Sequence, residues 1–233
     1  MTSTKEWFLE NWQQGVFLFG MVTSTQFVVC SLTAMLFYPG EFSFFSDPLC
    51  QLGFTRIEGK SNLLSSFLFN PSMFLVGISV ALLFPAMLPF FSETLVEKWF
   101  SLAGSIFAVF SGIATCGTAL TPGDIHFEAH IALAPFTVLF GVLMVFFFSV
   151  PMFLNKDYPR QYFLVSILSV IIMVICLVLL FIVPSYDTPE GAVFPTFPAF
   201  TTQKIAIFAE IITLFLLSYG AFRFNQSQKL LII

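Results

Sequence analysis

The stretch "FLVSILSVIIMVICLVLLFIV", residues 163–183, decides the class of fold. It holds no charged residue, and its apolar side chains cover every face of a helix rather than alternating with polar ones as in a strand. A helix needs about 20 such residues to cross the hydrocarbon core of a bilayer, which is ~30 Å thick. A strand of a membrane β-barrel needs only about 10 residues of alternating polarity. The stretch therefore predicts a transmembrane helix.

Five more windows of this kind lie along the chain, which is 58% hydrophobic and 9% charged, with a mean hydropathy of +0.93. The first window lacks the basic leader and the small-residue cleavage pattern of a signal peptide, so we count it as a span. We expect one all-α domain over residues 1–233, an integral membrane bundle of six helices. The predicted spans are roughly 16–38, 63–91, 98–120, 124–151, 160–183 and 203–223.

The distribution of basic residues predicts the orientation of the bundle. Six spans place both termini on one side of the membrane, and cytoplasmic segments carry the excess of Lys and Arg. The side with the termini holds Lys5, Lys98, Lys156, Arg160, Arg223 and Lys229, whereas the other side holds Arg56, Lys60 and Lys204. We therefore expect cytoplasmic termini, with the cell membrane as the location.

Several classes of function are not indicated by the sequence. No basic patch for nucleic acid is present, and the four cysteines show no paired spacing, so they are interpreted as packing residues. No GxSxG, HExxH, P-loop or dinucleotide motif occurs, and no cofactor is indicated.

The ten residues "TPGDIHFEAH" that begin at Thr121 are the densest polar segment between two spans. Thr121, Pro122 and Asp124 are typical of a helix start, with a hydroxyl cap, a proline in the first turn and an acid in the third position. His126 and His130 are spaced like metal ligands on a helix, but they would need a carboxylate from another segment. We expect no metal here; if one binds, these two histidines are the candidate ligands.

Glu210 is the most informative single residue, because an acid within an apolar helix is costly unless it is paired, protonated or wet. Asn70 and His130 are expected at a similar depth in the extracytoplasmic half of the bundle, and Asp47 lies in the first loop on the same side. A buried network that only fixes the helix register would explain these residues equally well. Asp47, Asn70, His126, His130 and Glu210 are the candidate ligand-binding residues; no catalytic residue is assigned.

Two further features bear on packing and assembly. Gly104, Ala108 and Gly112 form a stripe of small residues on the third helix, suited to close packing within the chain or, alternatively, to a homo-oligomer contact. The proline-rich segment 184–200 is predicted to form an ordered cover at the membrane interface.

Three motifs together resemble a known family. The first loop "YPGEFSFFSDPLCQLG", the helix entry "NLLSSFLFNPS" and the turn "TPGDIHFEAH" are similar to the prokaryotic multi-pass membrane proteins of domain-of-unknown-function family number 998, and more distantly to the six-helix FRAG/DRAM/Sfk group. The family positions map onto Ser46, Asp47, Asn70, Pro122 and His130. This chain departs from the pattern by a proline directly after the aspartate and by "CQLG" in place of "SDLG". Since that family has no established activity, the resemblance implies a fold rather than a chemistry.

Four functions remain open from the sequence. The leading hypothesis is a polar pocket that binds a membrane lipid or another small amphiphile. The alternatives are a metal-dependent lipid hydrolase, a proton-coupled carrier that uses Glu210 and His130, and a structural or assembly subunit.

Overall fold

Six long helices make up the protein, and each is long and apolar enough to cross a membrane. The computed structural model describes residues 4–182 and 197–230. The predicted all-α integral membrane bundle is confirmed. The helices are α1 Thr4–Leu36, α2 Leu63–Met87, α3 Leu95–Leu120, α4 Phe127–Leu154, α5 Arg160–Ile182 and α6 Phe197–Leu230.

The helices form a closed ring, because each packs against the next and α6 returns to pack against α1. We call the end of the bundle where α1, α3 and α5 finish the loop end; it carries the first loop, residues 37–62, and the turn 121–126. The opposite end, where α2, α4 and α6 finish, is called the terminal end. The ring order places α1 and α6 side by side although they are the first and last helices of the chain.

Aromatic rings fill the ring of helices at the terminal end. Phe84 of α2 packs on Phe148 of α4, with ring centroids 4.8 Å apart. Phe91 follows at 5.9 Å from Phe148 and lies 5.2 Å from Tyr158. Tyr158 in turn lies 5.2 Å from Phe224 of α6. Edge-to-face contacts of this kind, in side chains removed from lipid and water, fix how these helices meet.

The stripe of small residues on α3 is used for packing within the chain. A Cβ added at Gly104 would collide with the ring of Phe148 on α4, and one added at Gly112 would collide with the backbone of Gly77 on α2. Ala108, between them, is fully buried. The three residues thus let α3 approach both neighbours closely.

The first loop is folded rather than extended. It contains a short 3-10 helix, Leu49–Gly53, and an antiparallel pair of two-residue strands, β1 Arg56–Ile57 and β2 Lys60–Ser61. Glu58 and Gly59 turn the chain between the strands with positive φ values of 49° and 79°. The loop therefore forms a small cap on the bundle.

The largest differences from the predicted helix boundaries lie in α1 and α6. α1 and α6 begin earlier than residues 16 and 203, because polar residues can continue a helix beyond the apolar span into the interface. Of the segment predicted as an interfacial cover, residues 197–200 belong to α6, and residues 184–196 lie outside the described part of the chain.

Candidate functional site

The turn between α3 and α4 corrects one prediction from the sequence. α4 begins at Phe127 rather than at Pro122, and His126 is its N-cap residue. Thr121 closes α3, and its hydroxyl donates to the carbonyl oxygen of Gly117 at 2.8 Å. The helix start predicted from Thr121, Pro122 and Asp124 is therefore wrong. Residues 122–126 form a tight turn in which the amide of His126 donates to the carbonyl oxygen of Pro122 at 2.8 Å.

Asp124 uses its carboxylate to hold the first loop. One oxygen accepts hydrogen bonds from the Thr55 amide at 2.9 Å, the Thr55 hydroxyl at 2.7 Å and the Arg56 amide at 2.9 Å. Partial burial raises the pKa of Asp124, but these hydrogen bonds outweigh it and hold the pKa below its ordinary value. The turn and the loop, 69 residues apart in sequence, are thus joined by one charged acceptor.

The two histidines have different surroundings. His130 is half-buried, and its Nδ1 donates to the carbonyl oxygen of Thr121 at 2.7 Å, while its ring meets Phe54 edge-on at 6.2 Å. His126 is exposed, and its side chain makes no cap hydrogen bond. Over residues 4–182 and 197–230, no three His, Cys, Asp or Glu side chains come close enough to hold a metal ion. Among these described residues, His126 and His130 therefore have no third ligand for the metal site considered from the sequence.

Two asparagines fasten the first loop to α2. The buried side chain of Asn62 donates to the carbonyl oxygens of Gln51 at 3.2 Å and Phe54 at 2.8 Å. Asn70 donates to the carbonyl oxygen of Gly53 at 2.8 Å. A Cβ at Gly53 would collide with the Asn70 carboxamide, so this contact requires glycine. Asn70 and His130 therefore meet the same loop segment, one through Gly53 and the other through Phe54.

Asp47 lies elsewhere in the loop, beside a buried lysine. The Asp47 carboxylate accepts from the Ser43 amide at 2.7 Å and interacts electrostatically with Lys204 near the start of α6. Lys204 is fully buried, and its Nζ lies 5.7 Å and 5.3 Å from the ring centroids of Phe42 and Phe44. The charge and the two aromatic faces together hold the loop against α6.

Glu210 lies deeper in the bundle than His130. The prediction that the two residues share a similar depth is therefore wrong. A Cβ added at Gly141 of α4 would lie 2.8 Å from a carboxylate oxygen of Glu210 and 2.8 Å from the terminal methyl of Met173 on α5. Gly141 is eleven residues after His130, a distance of about 16 Å along a helix. No group within the described ranges donates a hydrogen bond to Glu210. Glu210 thus belongs to a separate position near the middle of α4, α5 and α6.

A groove of about 600 Å³ runs along the outward side of α2 at the loop end. Its apolar walls include Leu64 and Phe67, which are 53% and 74% exposed. Asn70, which fastens the loop, lines the same groove. The lining residues are Leu63, Leu64, Ser66, Phe67, Asn70 and Pro71. The groove therefore combines apolar side chains with the polar side chains of Ser66 and Asn70 at the edge of the first loop.

Three loop-end residues were not assigned to the site from the sequence. Asp124 was interpreted as a helix cap, and Asn62 gave no signal because a polar residue before a helix is commonplace. Lys204 carried a usable signal, since a basic residue inside a predicted span is costly without a partner. Asn62, Asp124 and Lys204 all hold the first loop in place.

No protein-family model, no curated protein and no solved structure matches the chain. The function is therefore inferred from the groove on α2, the contacts that fold the first loop, and the position of Glu210.

Proposed function

We propose that the protein binds a membrane lipid or a similar small amphiphile in the groove on α2, at the end of the bundle that faces the extracytoplasmic side. The observation that carries this proposal is the groove itself, which combines exposed apolar walls with the polar side chains of Ser66 and Asn70. A relationship to the family of domain of unknown function number 998 is part of the proposal and rests on the three short motifs.

The chemistry of the groove suits an amphiphile. Leu63, Leu64 and Phe67 offer apolar surface to a hydrocarbon chain, while Asn70 offers a carboxamide oxygen to a hydroxyl or ammonium group. The amide nitrogen of Asn70 is already used by the Gly53 carbonyl, so the polar end is fixed before a ligand arrives. A preorganised polar group loses little conformational entropy on binding.

Photo-crosslinking tests this proposal. We would reconstitute the protein in nanodiscs with a phospholipid that carries a diazirine in its acyl chain, and map the crosslinks by mass spectrometry. The expected result is enrichment in the α2 peptide that contains Leu64 and Phe67, over the α3 peptide with Ile106 and Ile113, which are also exposed but somewhat less so. Unlabelled lipid should compete for the α2 crosslinks.

A pair of double variants completes the experiment. Leu64→Ala with Phe67→Ala should reduce the α2 crosslinks about tenfold, whereas Ile106→Ala with Ile113→Ala should leave them unchanged. Equal labelling of α2 and α3, without competition, would mean that the groove is ordinary lipid-facing surface, and the proposal would be wrong.

A second candidate function is proton-coupled transport, and the position of Glu210 favours it. This acid lies beside Gly141 and Met173 within the membrane-spanning part of the bundle, and none of the described groups donates a hydrogen bond to it. Such an acid binds a proton or a cation unless a partner neutralises it.

The function predicts potential-driven proton uptake into proteoliposomes. Glu210→Gln should abolish this uptake, and the exposed control Glu93→Gln should preserve it. Uptake equal to that of empty liposomes would contradict it.

A further inference from the structure

A second cavity, of about 500 Å³, lies at the terminal end between the start of α5 and the last turns of α6. Two exposed residues of opposite charge, Asp157 and Arg223, both line it. Within the part of the chain that the structure describes, neither of these side-chain charges forms an ion pair or a hydrogen bond. Two opposite charges that line one cavity without neutralising each other fit a ligand that carries both signs.

Asp157 lies in the segment that connects α4 to α5, residues 155–159, and hydrogen bonds of the Asn155 side chain fix that segment. The carbonyl oxygen of the Asn155 side chain accepts from the amides of Asp157 at 2.9 Å and Tyr158 at 3.1 Å. The amide nitrogen of the same side chain donates to the carbonyl oxygen of Phe90 at 2.9 Å. Because Asn155 is buried and uses both ends of its carboxamide, the segment that bears Asp157 is tied to Phe90, three residues beyond the end of α2.

The floor of the cavity is aromatic and closely packed. A Cβ added at Gly220 would lie 2.5–2.7 Å from atoms of the Tyr162 ring, so the ring rests directly on the backbone of α6. Tyr162 packs on Tyr158 at 5.7 Å, and Tyr158 packs on Phe224 at 5.2 Å. These interlocked rings pack the start of α5 closely against α6, and so support the segment that bears Asp157 beside the helix that bears Arg223.

The cavity lies where the apolar spans end. The span of α5 begins at Arg160 and that of α6 ends at Gln228, so the cavity is at the depth of lipid headgroups. Further into the membrane, α5 exposes Leu164 and Leu168, which are 63% and 59% accessible. A bound headgroup therefore has apolar helix surface nearby for its acyl chains.

We propose that this cavity binds the headgroup of a zwitterionic aminophospholipid, with its phosphate on Arg223 and its ammonium group on Asp157. Ser227 and Gln228 add a hydroxyl and a carboxamide to the lining. Arg suits a phosphate because its planar guanidinium donates two parallel hydrogen bonds, and a carboxylate accepts the three donors of a primary ammonium group. The site is at the opposite end of the bundle from the groove on α2 and does not depend on the function proposed there.

Native mass spectrometry of the full-length protein tests this proposal with three probes of equal acyl chains: phosphatidylethanolamine, phosphatidylcholine and phosphatidylglycerol. We expect phosphatidylethanolamine to bind about tenfold more tightly than phosphatidylglycerol, because only the former offers an ammonium group to Asp157. Phosphatidylcholine should be intermediate, since its quaternary ammonium carries the charge but no N–H donor.

Charge variants assign the two contacts. Asp157→Asn should remove the preference for phosphatidylethanolamine over phosphatidylglycerol, and Arg223→Gln should weaken both lipids about tenfold. The matched controls, Glu93→Gln and Lys98→Gln, remove exposed charges at the same end of the bundle and should change neither affinity. Thermal unfolding of each variant in detergent checks that the fold is retained.

Two results would overturn the proposal. If Asp157→Asn and Arg223→Gln, both folded, bind the three lipids as the wild type does, the cavity is not the headgroup site. If soluble glycerophosphoethanolamine displaces phosphatidylethanolamine at an equal concentration, the ligand is a free zwitterion and the lipid assignment is wrong. Failure of the soluble compound to compete would support the lipid.

Discussion

At the scale of single residues, Asp124 shows how a local pattern acquires a distant role. Its carboxylate accepts three hydrogen bonds from Thr55 and Arg56, and these hold its pKa below the ordinary value of 3.8 although partial burial opposes them. A carboxyl group whose pKa is lowered by folding contributes stability that is fully present above its unfolded pKa. That stability is lost as the pH falls through the folded pKa.

Asp124→Asn should therefore lower the stability at neutral pH and flatten its dependence on acid. We expect a loss of about 1 kcal/mol or less at pH 7, because a charged acceptor becomes a neutral one at an exposed position where solvent screens the charge. Below about pH 4 the difference from the wild type should shrink, as the wild-type carboxylate becomes protonated. Thermal unfolding in detergent from pH 3 to pH 7 measures both effects. The control Glu128→Gln removes a neighbouring exposed charge and should not alter the acid dependence. If Asp124→Asn lowers the stability by the same amount at every pH, the assignment is contradicted.

Cys50 allows a second test at this scale. Burial raises the pKa of its thiol to about 11, against smaller opposing effects of backbone hydrogen bonds and Lys204. Since the thiolate is the reactive form, Cys50 as the sole cysteine should react with a water-soluble maleimide at pH 8 only after unfolding. Glu58→Cys, in the exposed turn between β1 and β2, is the control and should be labelled within minutes. Equally rapid labelling of native Cys50 would show that the first loop opens readily.

At the scale of elements, the contact between α2 and α3 depends on glycine. A Cβ at Gly112 would lie 2.5 Å from the carbonyl oxygen of Gly77 and 2.8 Å from the Cβ of Ala81, so the two helices would have to separate. We expect Gly112→Ala to reduce stability by about 1–3 kcal/mol, the usual cost of overpacking. Gly15→Ala on α1, where no atom lies within 4 Å, should instead be neutral or slightly stabilising. Equal unfolding midpoints for the two variants in a detergent titration would contradict this packing.

Some features of the helices are determined by one segment of sequence, and others depend on contacts with distant segments. The apolar window 163–183 predicts α5 because the bilayer demands length and hydrophobicity, and both are properties of one segment. The start of α4 was mispredicted because Thr-Pro-x-Asp suits a helix cap and a tight turn equally. The tight turn forms because the Asp124 carboxylate accepts from Thr55, which is far away in the chain and cannot be identified from the local pattern. The depth of Glu210 was mispredicted for the same reason, since the offset of α6 along α4 is set by contacts such as that at Gly141.

At the scale of the whole molecule, ring closure brings the two ends of the chain together. α6 packs on α1, and Lys204 at the start of α6 lies against Phe42 and Phe44 of the first loop. The first loop is therefore held by α2 through Asn70, by the α3–α4 turn through Asp124 and by α6 through Lys204. A loop with three anchors on separate elements keeps the groove on α2 in one shape, as the proposed binding of an amphiphile there would require.

The orientation of this bundle is the remaining prediction, and it follows from charge rather than from packing. Six of the nine Lys and Arg residues belong to the terminal end or its tails, which favours a cytoplasmic terminal end. In a background without native cysteines, Glu58→Cys should react with a membrane-impermeant maleimide added to intact cells, because it lies in the exposed turn of the first loop. Lys98→Cys, exposed at the terminal end, should react only after permeabilisation. The opposite pattern would invert the molecule, and it would place the groove on α2 at the cytoplasmic side and the cavity of Asp157 and Arg223 at the outer side.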